Sequence, residues 1–235
     1  MRLYYDFHIH SALSPCADDD MTPYNIVNMA RIKGLDAIAI TDHNSAKNVR
    51  IAMKAGEGAG VKVIAGIEIT TAEDVHILSL FPTADAAEEV AEVISKSLPD
   101  IKNRADIFGR QLIFDENDNV VGEESALLMS SSSLSVDGVF LLVRSVGGVA
   151  VPAHIDRSSF SIISNLGFIP ESLGVTAVEI SSKADENEYI KSNPMLWGLK
   201  VLRNSDAHNL GNISERKNFV EILNNKTGEI LSKFI

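Results

Sequence analysis

The sequence has a single cysteine, few basic residues and no long hydrophobic run. With only Cys16, the chain cannot form an internal disulfide, which fits a reducing compartment and a free thiol in a loop. No apolar stretch approaches the roughly 20 residues of a membrane-spanning helix, and the first strand begins without an apolar signal region. We therefore expect a cytoplasmic protein without a membrane partner.

Basic residues are outnumbered by acidic ones. The 21 Lys and Arg residues against 32 Asp and Glu residues give a formal net charge of −11. Binding to duplex nucleic acid or to a membrane surface requires basic patches, so we expect no stable duplex nucleic-acid partner. Carboxylates that hold metal ions would add to this negative charge without repelling an anionic substrate, because bound ions reverse the local charge. The charge balance therefore describes the outer surface and leaves the chemistry of a buried site open.

Apolar strands and amphipathic helices alternate along most of the 235 residues. Thr22 is a helix N-cap, Pro23 occupies the first helical position, and Gly34 closes the helix before an apolar strand at 35–41. Strands that are apolar on both faces indicate a parallel sheet with helices around it. Seven such strands predict an α/β fold, a distorted (β/α)7 TIM-like barrel. A single domain, residues 1–235, is expected at this length.

Two segments interrupt the alternation. The third and fourth strands, 61–68 and 75–81, have too few residues between them for a crossover helix, so we expect a hairpin. If its turn centres on Ala72, Glu68 and His76 lie opposite each other. Residues 99–135, between strands four and five, contain a small hairpin and are expected to form an insert that caps the mouth of the fold.

All six histidines lie at strand ends or in this hairpin. His8 and His10 share one face of the first strand, because side chains in a strand alternate with period two. The carboxyl ends of barrel strands converge on one face, so residues from distant parts of the chain would meet there. A lone histidine is more often a hydrogen-bonded core residue than a ligand, but six, mostly beside acidic residues, indicate a metal site. They are His8, His10, His43, His76, His154 and His208.

Five short motifs, in this order, resemble the PHP family, named for polymerase and histidinol phosphatase. They are Asp6-Phe7-His8-Ile9-His10-Ser11, Thr41-Asp42-His43, Gly66-Ile67-Glu68, Val151-Pro152-Ala153-His154 and Ser205-Asp206-Ala207-His208. These motifs are similar to the family's DxHxHS, TDH, GxE, AH and SDAH patterns and extend over nearly the whole chain. The resemblance implies a metal-dependent phosphoesterase of the phosphatase-like branch on a distorted seven-stranded barrel.

The resemblance also implies two to three divalent ions and their ligands. The first ion would be held by His8, His10, Glu68 and Asp206, and the second by Glu68, His76 and His154, with Glu68 bridging the two. The third would be held by His43, His208 and a loop aspartate; counting back from Met21-Thr22-Pro23 favours Asp18, with Asp19 and Asp20 as alternatives. Imidazole and carboxylate ligands without a thiolate suit manganese, iron or zinc.

Three further residues are expected around the ligands. Asp6 and Asp42 precede ligand histidines and would orient imidazole rings as hydrogen-bond acceptors rather than bind metal. Arg157 completes an AHxxR pattern seen in phosphatase-like relatives and would clamp a substrate phosphate, with a surface ion pair as the alternative. Ile155 stands where many relatives have proline.

The predicted reaction rests on the metal ions. The sequence shows no serine or cysteine nucleophile paired with a base and no glycine-rich phosphate loop. Coordination lowers the pKa of water towards about 7, so we expect a metal-bound hydroxide to hydrolyse a phosphate ester, with His43, Asp206 and His208 nearby. The expected substrate is a phosphomonoester, a nucleotide or a short oligonucleotide. The alternatives are histidinol phosphate as substrate, or a metal-binding regulatory protein without catalysis.

Overall fold

A computed structural model describes residues 1–234 as a curled β-sheet with helices packed around it. The strands are β1 (Arg2–Ile9), β2 (Ala37–Ile40), β3 (Lys62–Thr70), β4 (His76–Phe81), β5 (Leu112–Phe114), β6 (Val120–Glu123), β7 (Val149–Pro152), β8 (Ala177–Glu179), β9 (Lys200–Leu202) and β10 (Phe219–Glu221). The α-helices are α1 (Pro23–Ile32), α2 (Val49–Ala59), α3 (Ala84–Ser97), α4 (Ala105–Phe108), α5 (Val136–Ser145), α6 (Ile162–Leu166), α7 (Glu186–Ser192) and α8 (Thr227–Leu231). Within these described residues, no helix is both long and apolar enough to cross a membrane.

The main sheet has six strands in the order β10-β1-β2-β3-β4-β7. Strands β1 to β3 are parallel, while β4 runs antiparallel to both of its neighbours, and β10 adds an antiparallel edge that the sequence did not predict. The parallel pair β8–β9 continues the curl, because the Ile155 N–H donates to the Glu179 carbonyl and a bridge joins Ala207 to Ile9. The predicted α/β class with a barrel-like sheet is confirmed; closure by seven strands stays a prediction.

The interior of the curl is apolar along most of the strands and polar at the carboxyl ends of the parallel strands. Ile64 packs in the interior cluster, and Glu68, four residues later in β3, lies above it on the same face. In β1 the pairing register shifts between Asp6 and Ile9, so Phe7 and His8 both contact interior residues. This irregularity corrects the expected strict alternation of Phe7 and His8, and it turns the histidine pair towards Glu68.

The hairpin of β3 and β4 is confirmed, but its predicted register is wrong. Thr70 pairs with His76, and Glu68 pairs with Leu78, so the turn centres on Glu73. Asp74 adopts a φ of 56° in this turn, a left-handed conformation that aspartate tolerates better than most residues. His76 is therefore a diagonal neighbour of Glu68 on the same face, which still brings the two side chains together.

The insert at 99–135 contains α4 and the predicted small hairpin, β5–β6. It packs beside the loop that follows β1: the Leu112 N–H donates to the Ala12 carbonyl, and Leu112 and Phe114 join the core cluster formed with α1 and α2. No insert residue is among those that line the histidine-rich cavity described below. The insert thus flanks the mouth of the fold, and its boundaries as a subdomain stay a prediction.

Candidate metal centre

The carboxylate of Glu68 lies at the centre of five imidazole rings and is 1% exposed. Its position follows from β3, whose alternation places Glu68 on the interior face at the carboxyl end of the strand. Oε1 lies 2.9 Å from His76 Nδ1, 3.1 Å from His154 Nε2 and 3.2 Å from His8 Nε2, and Oε2 lies 3.1 Å from His43 Nδ1 and 3.4 Å from His10 Nε2.

Asp206 brings a second carboxylate to the same cavity. Its Oδ1 lies 3.1 Å from His10 Nε2 and 3.3 Å from His8 Nε2. His208 also lines this cavity, and its Nδ1 lies 2.9 Å from the Asp206 carbonyl oxygen. The candidate ligand atoms form three groups, each within 4.8 Å: His8, His10, Glu68 and Asp206; His43, Glu68 and His76; and His10, His43 and His208.

The spacing of these atoms fits ligands around metal ions. The Nε2 atoms of His8 and His10 are 3.3 Å apart, and tetrahedral nitrogen ligands about 2.1 Å from zinc would lie about 3.4 Å apart. Nδ1 of His43 and Oδ1 of Asp206 are buried without a hydrogen bond of acceptable geometry, although oppositely charged groups lie 3.1 Å away. Buried polar atoms normally have a partner, so atoms that converge without bonding one another indicate cations as the partner.

Two of the candidate ligands are held in strained backbone conformations. His154 has a φ of 29° and Asp206 a φ of 51°. Such left-handed conformations cost about 1–3 kcal/mol in a residue other than glycine, and they cluster at functional sites. Both residues follow strand ends, where the strain re-aims the side chain into the cavity.

The carboxylates around the buried histidines favour the protonated form of some of these rings. Burial disfavours charge on His10 and His43, but the neighbouring carboxylates, and for His43 also the thiol of Cys16, raise the pKa of each ring to about 9. Burial opposes ionisation of Glu68 as well, yet the histidines around it hold its pKa well below the ordinary value. In contrast, burial and the nearby His10 lower the pKa of His208 to about 3, so this ring is neutral and ready to coordinate.

These shifts predict that metal binding releases protons and strengthens as pH rises towards 9. A ring with a pKa of about 9 is protonated at pH 8, whereas an ordinary histidine is not, and a metal ion must displace that proton. Calorimetric titration with Mn²⁺ at pH 8, in buffers of different ionisation enthalpy, should therefore show about three protons released, because the carboxylates around His8 raise its pKa as well. Replacing His43 by glutamine should lower this number by about one; release of no proton by the wild type would contradict the assignment.

The hydrogen bonds behind the ligands differ from those expected. Asp42 reaches His10 only through Ser14, whose hydroxyl donates to Asp42 Oδ1 at 2.8 Å and lies 2.8 Å from His10 Nδ1. Asp6 orients no imidazole: its two oxygens accept the N–H groups of Ser205 and Ser214, at 3.0 and 2.8 Å. The predicted role of Asp6 is thus corrected to fixing the backbone before Asp206.

Glu179 orients His8 and was missed by the sequence reasoning. Its carboxylate lies 3.0 and 3.1 Å from His8 Nδ1, accepts from Asn204 Nδ2 at 2.7 Å, and accepts the His154 N–H at 3.1 Å. The only signal in the sequence was a carboxylate at the end of an apolar strand; its burial, at 2% exposure, is visible only in the structure. With Nδ1–H donating to Glu179, Nε2 of His8 is left for a metal ion.

Replacing Glu179 by glutamine should weaken metal binding and activity about 10- to 100-fold, because groups that orient a metal-ligating histidine contribute on that scale. Competition with a metal-sensitive chelator would measure the affinity. The matched control is Glu186→Gln, which removes only a 3.7 Å contact with Arg203 at the surface. Equal metal affinity in the Glu179 variant and the wild type would show that this carboxylate is purely structural.

The loop aspartates lie outside the centre. Asp18 donates its backbone N–H to the His208 carbonyl, but its carboxylate is exposed and belongs to none of the three ligand groups. Asp19 pairs with Arg110 at 3.3 Å, and Asp20 is exposed. The structure therefore does not bring Asp18 into the cluster, since the turn it forms with Met21 directs its side chain outwards. The neighbours that the loop does supply are Ser14, beside His10, and the exposed Cys16, beside His43.

Arg157 lies on the wall of the cavity. Its Nη1 is 2.7 Å from Asp206 Oδ2, and 43% of its side chain is exposed. The cavity has a volume of about 120 Å³. A larger cleft of about 560 Å³, between α3 and the insert, contains none of the candidate ligands. Volume alone thus does not locate the chemistry; the charged groups do.

The sequence model of the PHP domain matches residues 6–150, more than half of the chain. The chain belongs to the PHP domain family. This confirms the resemblance inferred from the five motifs, and it places Glu68 and its first three histidine neighbours along the chain, His8, His10 and His43, within the matched part. His154, Asp206 and His208 lie beyond residue 150 and join the centre through the fold.

Two proteins of Methanocaldococcus jannaschii are similar to this PHP domain. Uncharacterized protein MJ1587 is 34% identical over 104 residues, which are 39% of this chain and 60% of that protein. Uncharacterized protein MJ1295 is 26% identical over 87% of this chain and 81% of its own length. The chain thus spans less than two thirds of the first relative.

Solved structures share the fold at low identity. Endonuclease Q from Pyrococcus furiosus has a TM-score of 0.74 at 21% identity, covering all of this chain and 56% of that one. An Endonuclease Q complex with a 27-mer duplex substrate gives 0.71 at 20% identity, covering 99% and 56%. A protein from Bifidobacterium adolescentis, described there as a proposed metal-dependent phosphoesterase, gives 0.62 at 20%, covering 91% and 93%. The predicted enzyme class, a metal-dependent phosphoesterase, agrees with these descriptions.

Proposed function

We propose that this PHP domain hydrolyses phosphate esters with two to three divalent ions held by the cluster around Glu68 and Asp206. The observation that carries the proposal is this cluster of two carboxylates, Glu68 buried and Asp206 nearly so, with six imidazoles and the guanidinium of Arg157 beside them. Manganese, iron or zinc would suit these ligands. Ions bound there would act as Lewis acids that activate water and withdraw charge from phosphoryl oxygens.

The chain's own residues would position the substrate and the ligands. Arg157 can turn from Asp206 to a phosphoryl oxygen, because a guanidinium binds phosphate in the same forked geometry as a carboxylate. His208 donates Nδ1–H to the Asp206 carbonyl, which directs Nε2 into the cavity as a neutral ligand. Glu179 and Ser14 hold His8 and His10 in the corresponding tautomers.

The proposed substrates are small phosphomonoesters, nucleotides or the ends of short oligonucleotides. A cavity of about 120 Å³ admits a phosphoryl group rather than a whole organic ligand, for which pockets of roughly 300–1,000 Å³ are usual. The net charge of −11 disfavours a long polyanion. Duplex DNA is nevertheless the second candidate, because Endonuclease Q shares the fold and has been described with a duplex substrate.

The test is a substrate screen with Mn²⁺-loaded protein of measured metal content. Nucleoside monophosphates, p-nitrophenyl phosphate, histidinol phosphate and a labelled duplex with an abasic site would be compared. Release of inorganic phosphate from the monoesters supports the proposal, and cleavage of the duplex alone would favour the nuclease. No hydrolysis at full metal occupancy would contradict both and favour a non-catalytic metal-binding protein.

Replacing Arg157 by lysine should lower kcat/KM for a phosphomonoester about 10- to 100-fold, since hydrogen bonds to charged groups contribute about 1.5–3 kcal/mol. Metal content should not change, because Arg157 is not a ligand. The matched control is Arg104→Lys, whose guanidinium pairs with Asp106 on the exposed insert. Unchanged kinetics in Arg157→Lys would leave Arg157 as a surface ion pair only.

A further inference from the structure

Phe160 lies on the wall of the metal-centre cavity in a conformation that a bulky residue rarely adopts. Its φ is 55°, in the left-handed region, a strained conformation for a bulky residue. The surroundings hold it there: the Phe160 carbonyl accepts the N–H of His76 at 2.9 Å, and the Ser161 hydroxyl donates to the Ile155 carbonyl at 2.8 Å. The loop after His154 is thus held by hydrogen bonds at the strained residue and at the residue that follows it.

The ring of Phe160 stacks on a candidate metal ligand and is still accessible. The centroids of Phe160 and His76 are 4.6 Å apart, and their planes differ by 24°. Nevertheless, 42% of Phe160 is exposed, whereas Phe7, Phe81 and Phe140 are buried in the core. An aromatic ring with one face on His76 and the remainder exposed can receive a second flat group by stacking.

The size of the cavity explains what such a ring would contact. Since about 120 Å³ accommodates little more than a phosphoryl group, the organic part of a substrate must lie on the rim. The loop supplies Arg157, Ser159 and Phe160 to this rim within four residues. A guanidinium for the phosphate and an aromatic face beside it match a phosphate linked to a planar base.

We propose that Phe160 is a specificity-determining residue that stacks on the nucleobase of the substrate. The site then prefers nucleoside phosphates over phosphate esters that lack a planar group. This assignment rests on the proposed function, in which the metal centre and Arg157 hold the phosphoryl group.

The test compares two probes that share a ribose phosphate and differ in the base: adenosine 5′-monophosphate and ribose 5-phosphate. With Mn²⁺-loaded protein, Phe160→Leu should raise KM and Kd for adenosine 5′-monophosphate on the order of tenfold, the usual scale of base–aromatic stacking. Any effect that the variant has through the contact of Phe160 with His76 should be the same for both probes, so the ratio of the two Kd values isolates stacking on the base. Phe160→Trp should restore the nucleotide affinity, and the control Phe168→Leu, at another exposed phenylalanine, should have no effect.

Binding and hydrolysis are measured separately, so that the two proposals can fail separately. If the nucleotide Kd depends on Phe160 but neither probe is hydrolysed, the proposed hydrolysis is wrong, whereas the proposed stacking of Phe160 on the base is supported. If the wild type binds both probes equally, or if Phe160→Leu weakens the binding of both probes equally, the proposed stacking of Phe160 on the base is wrong. Thermal denaturation checks the fold of each variant; leucine and tryptophan meet the same backbone strain as phenylalanine, so the variants are matched in that respect.

Discussion

Replacing Glu68 by glutamine is expected to reduce hydrolysis more than about 100-fold and to leave at most one divalent ion per chain, at the His10, His43 and His208 group that does not include Glu68. Even groups that only orient a ligand contribute about 10- to 100-fold to metal affinity or activity, and Glu68 is placed to act as a ligand itself. Its two oxygens contact five imidazoles, so an amide removes the charge that these rings share. No other side chain among residues 1–234 belongs to both carboxylate-containing ligand groups.

The same variant should also be less stable without metal. Breaking a buried ion pair by removing one partner costs about 3–5 kcal/mol, because the other charge is left uncompensated. His10 and His43, protonated in the metal-free centre, would lose their counter-charge. The control is Glu57→Gln, the same substitution on the exposed side of α2. A Glu68 variant that keeps its metal content and activity would refute the Glu68-centred cluster.

Removing the divalent ions by chelation is expected to abolish hydrolysis and to lower the melting temperature by roughly 5–10 °C. An ion that binds only the native state at 100 times its Kd stabilises it by about 2.7 kcal/mol. In a chain of this length, 1 kcal/mol corresponds to roughly 2–4 °C. The protein should stay folded, because His8, His10 and His43 take up protons and balance Glu68 and Asp206.

Differential scanning fluorimetry with EDTA, followed by addition of Mn²⁺, measures this effect. Activity and melting temperature should recover together, since both depend on the same ligands. A melting temperature that is insensitive to chelation while activity is lost would mean that the ions bind weakly and are not part of the folded core. Loss of neither would mean that the chemistry does not need the ions.

The placement of the histidines could be predicted from the sequence because it depends on one robust feature, the end of an apolar strand. Strand ends are visible in the hydrophobic pattern, and parallel topology brings them to one edge whatever the details of packing. His154 illustrates this: it follows β7 by two residues and still reaches Glu68, 86 positions earlier, at 3.1 Å. The α/β class followed from the same pattern.

Other features depend on backbone geometry that residue patterns do not encode. The hairpin register shifted because Asp74 could adopt a left-handed φ, which moved the centre of the turn from Ala72 to Glu73. Asp18 was favoured by counting along a loop, but the turn of that loop directs its carboxylate to solvent. Spacing predicts ligands on strands better than on loops, because only strands have a fixed direction for each side chain.

Glu179 shows a different limit. Its motif is a single acidic residue in the apolar run Val178-Glu179-Ile180, and its partners His8 and Asn204 are 171 and 25 positions away. No neighbouring residue in the sequence distinguishes Glu179 from an exposed acidic residue at a strand end. Burial separates them, since a buried carboxylate requires partners, and burial depends on the curl that joins β8 to β7.

The central claim, a multi-ion centre built around Glu68, is tested most directly by the number of ions bound per chain. Stripped protein would be reloaded with Mn²⁺, passed through a desalting column and analysed by inductively coupled plasma mass spectrometry. We expect two to three ions per wild-type chain, and at least one fewer in His10→Ala, because His10 belongs to two of the three ligand groups. A wild-type chain that retains at most one ion, or a His10→Ala chain that retains the full number, would contradict the account.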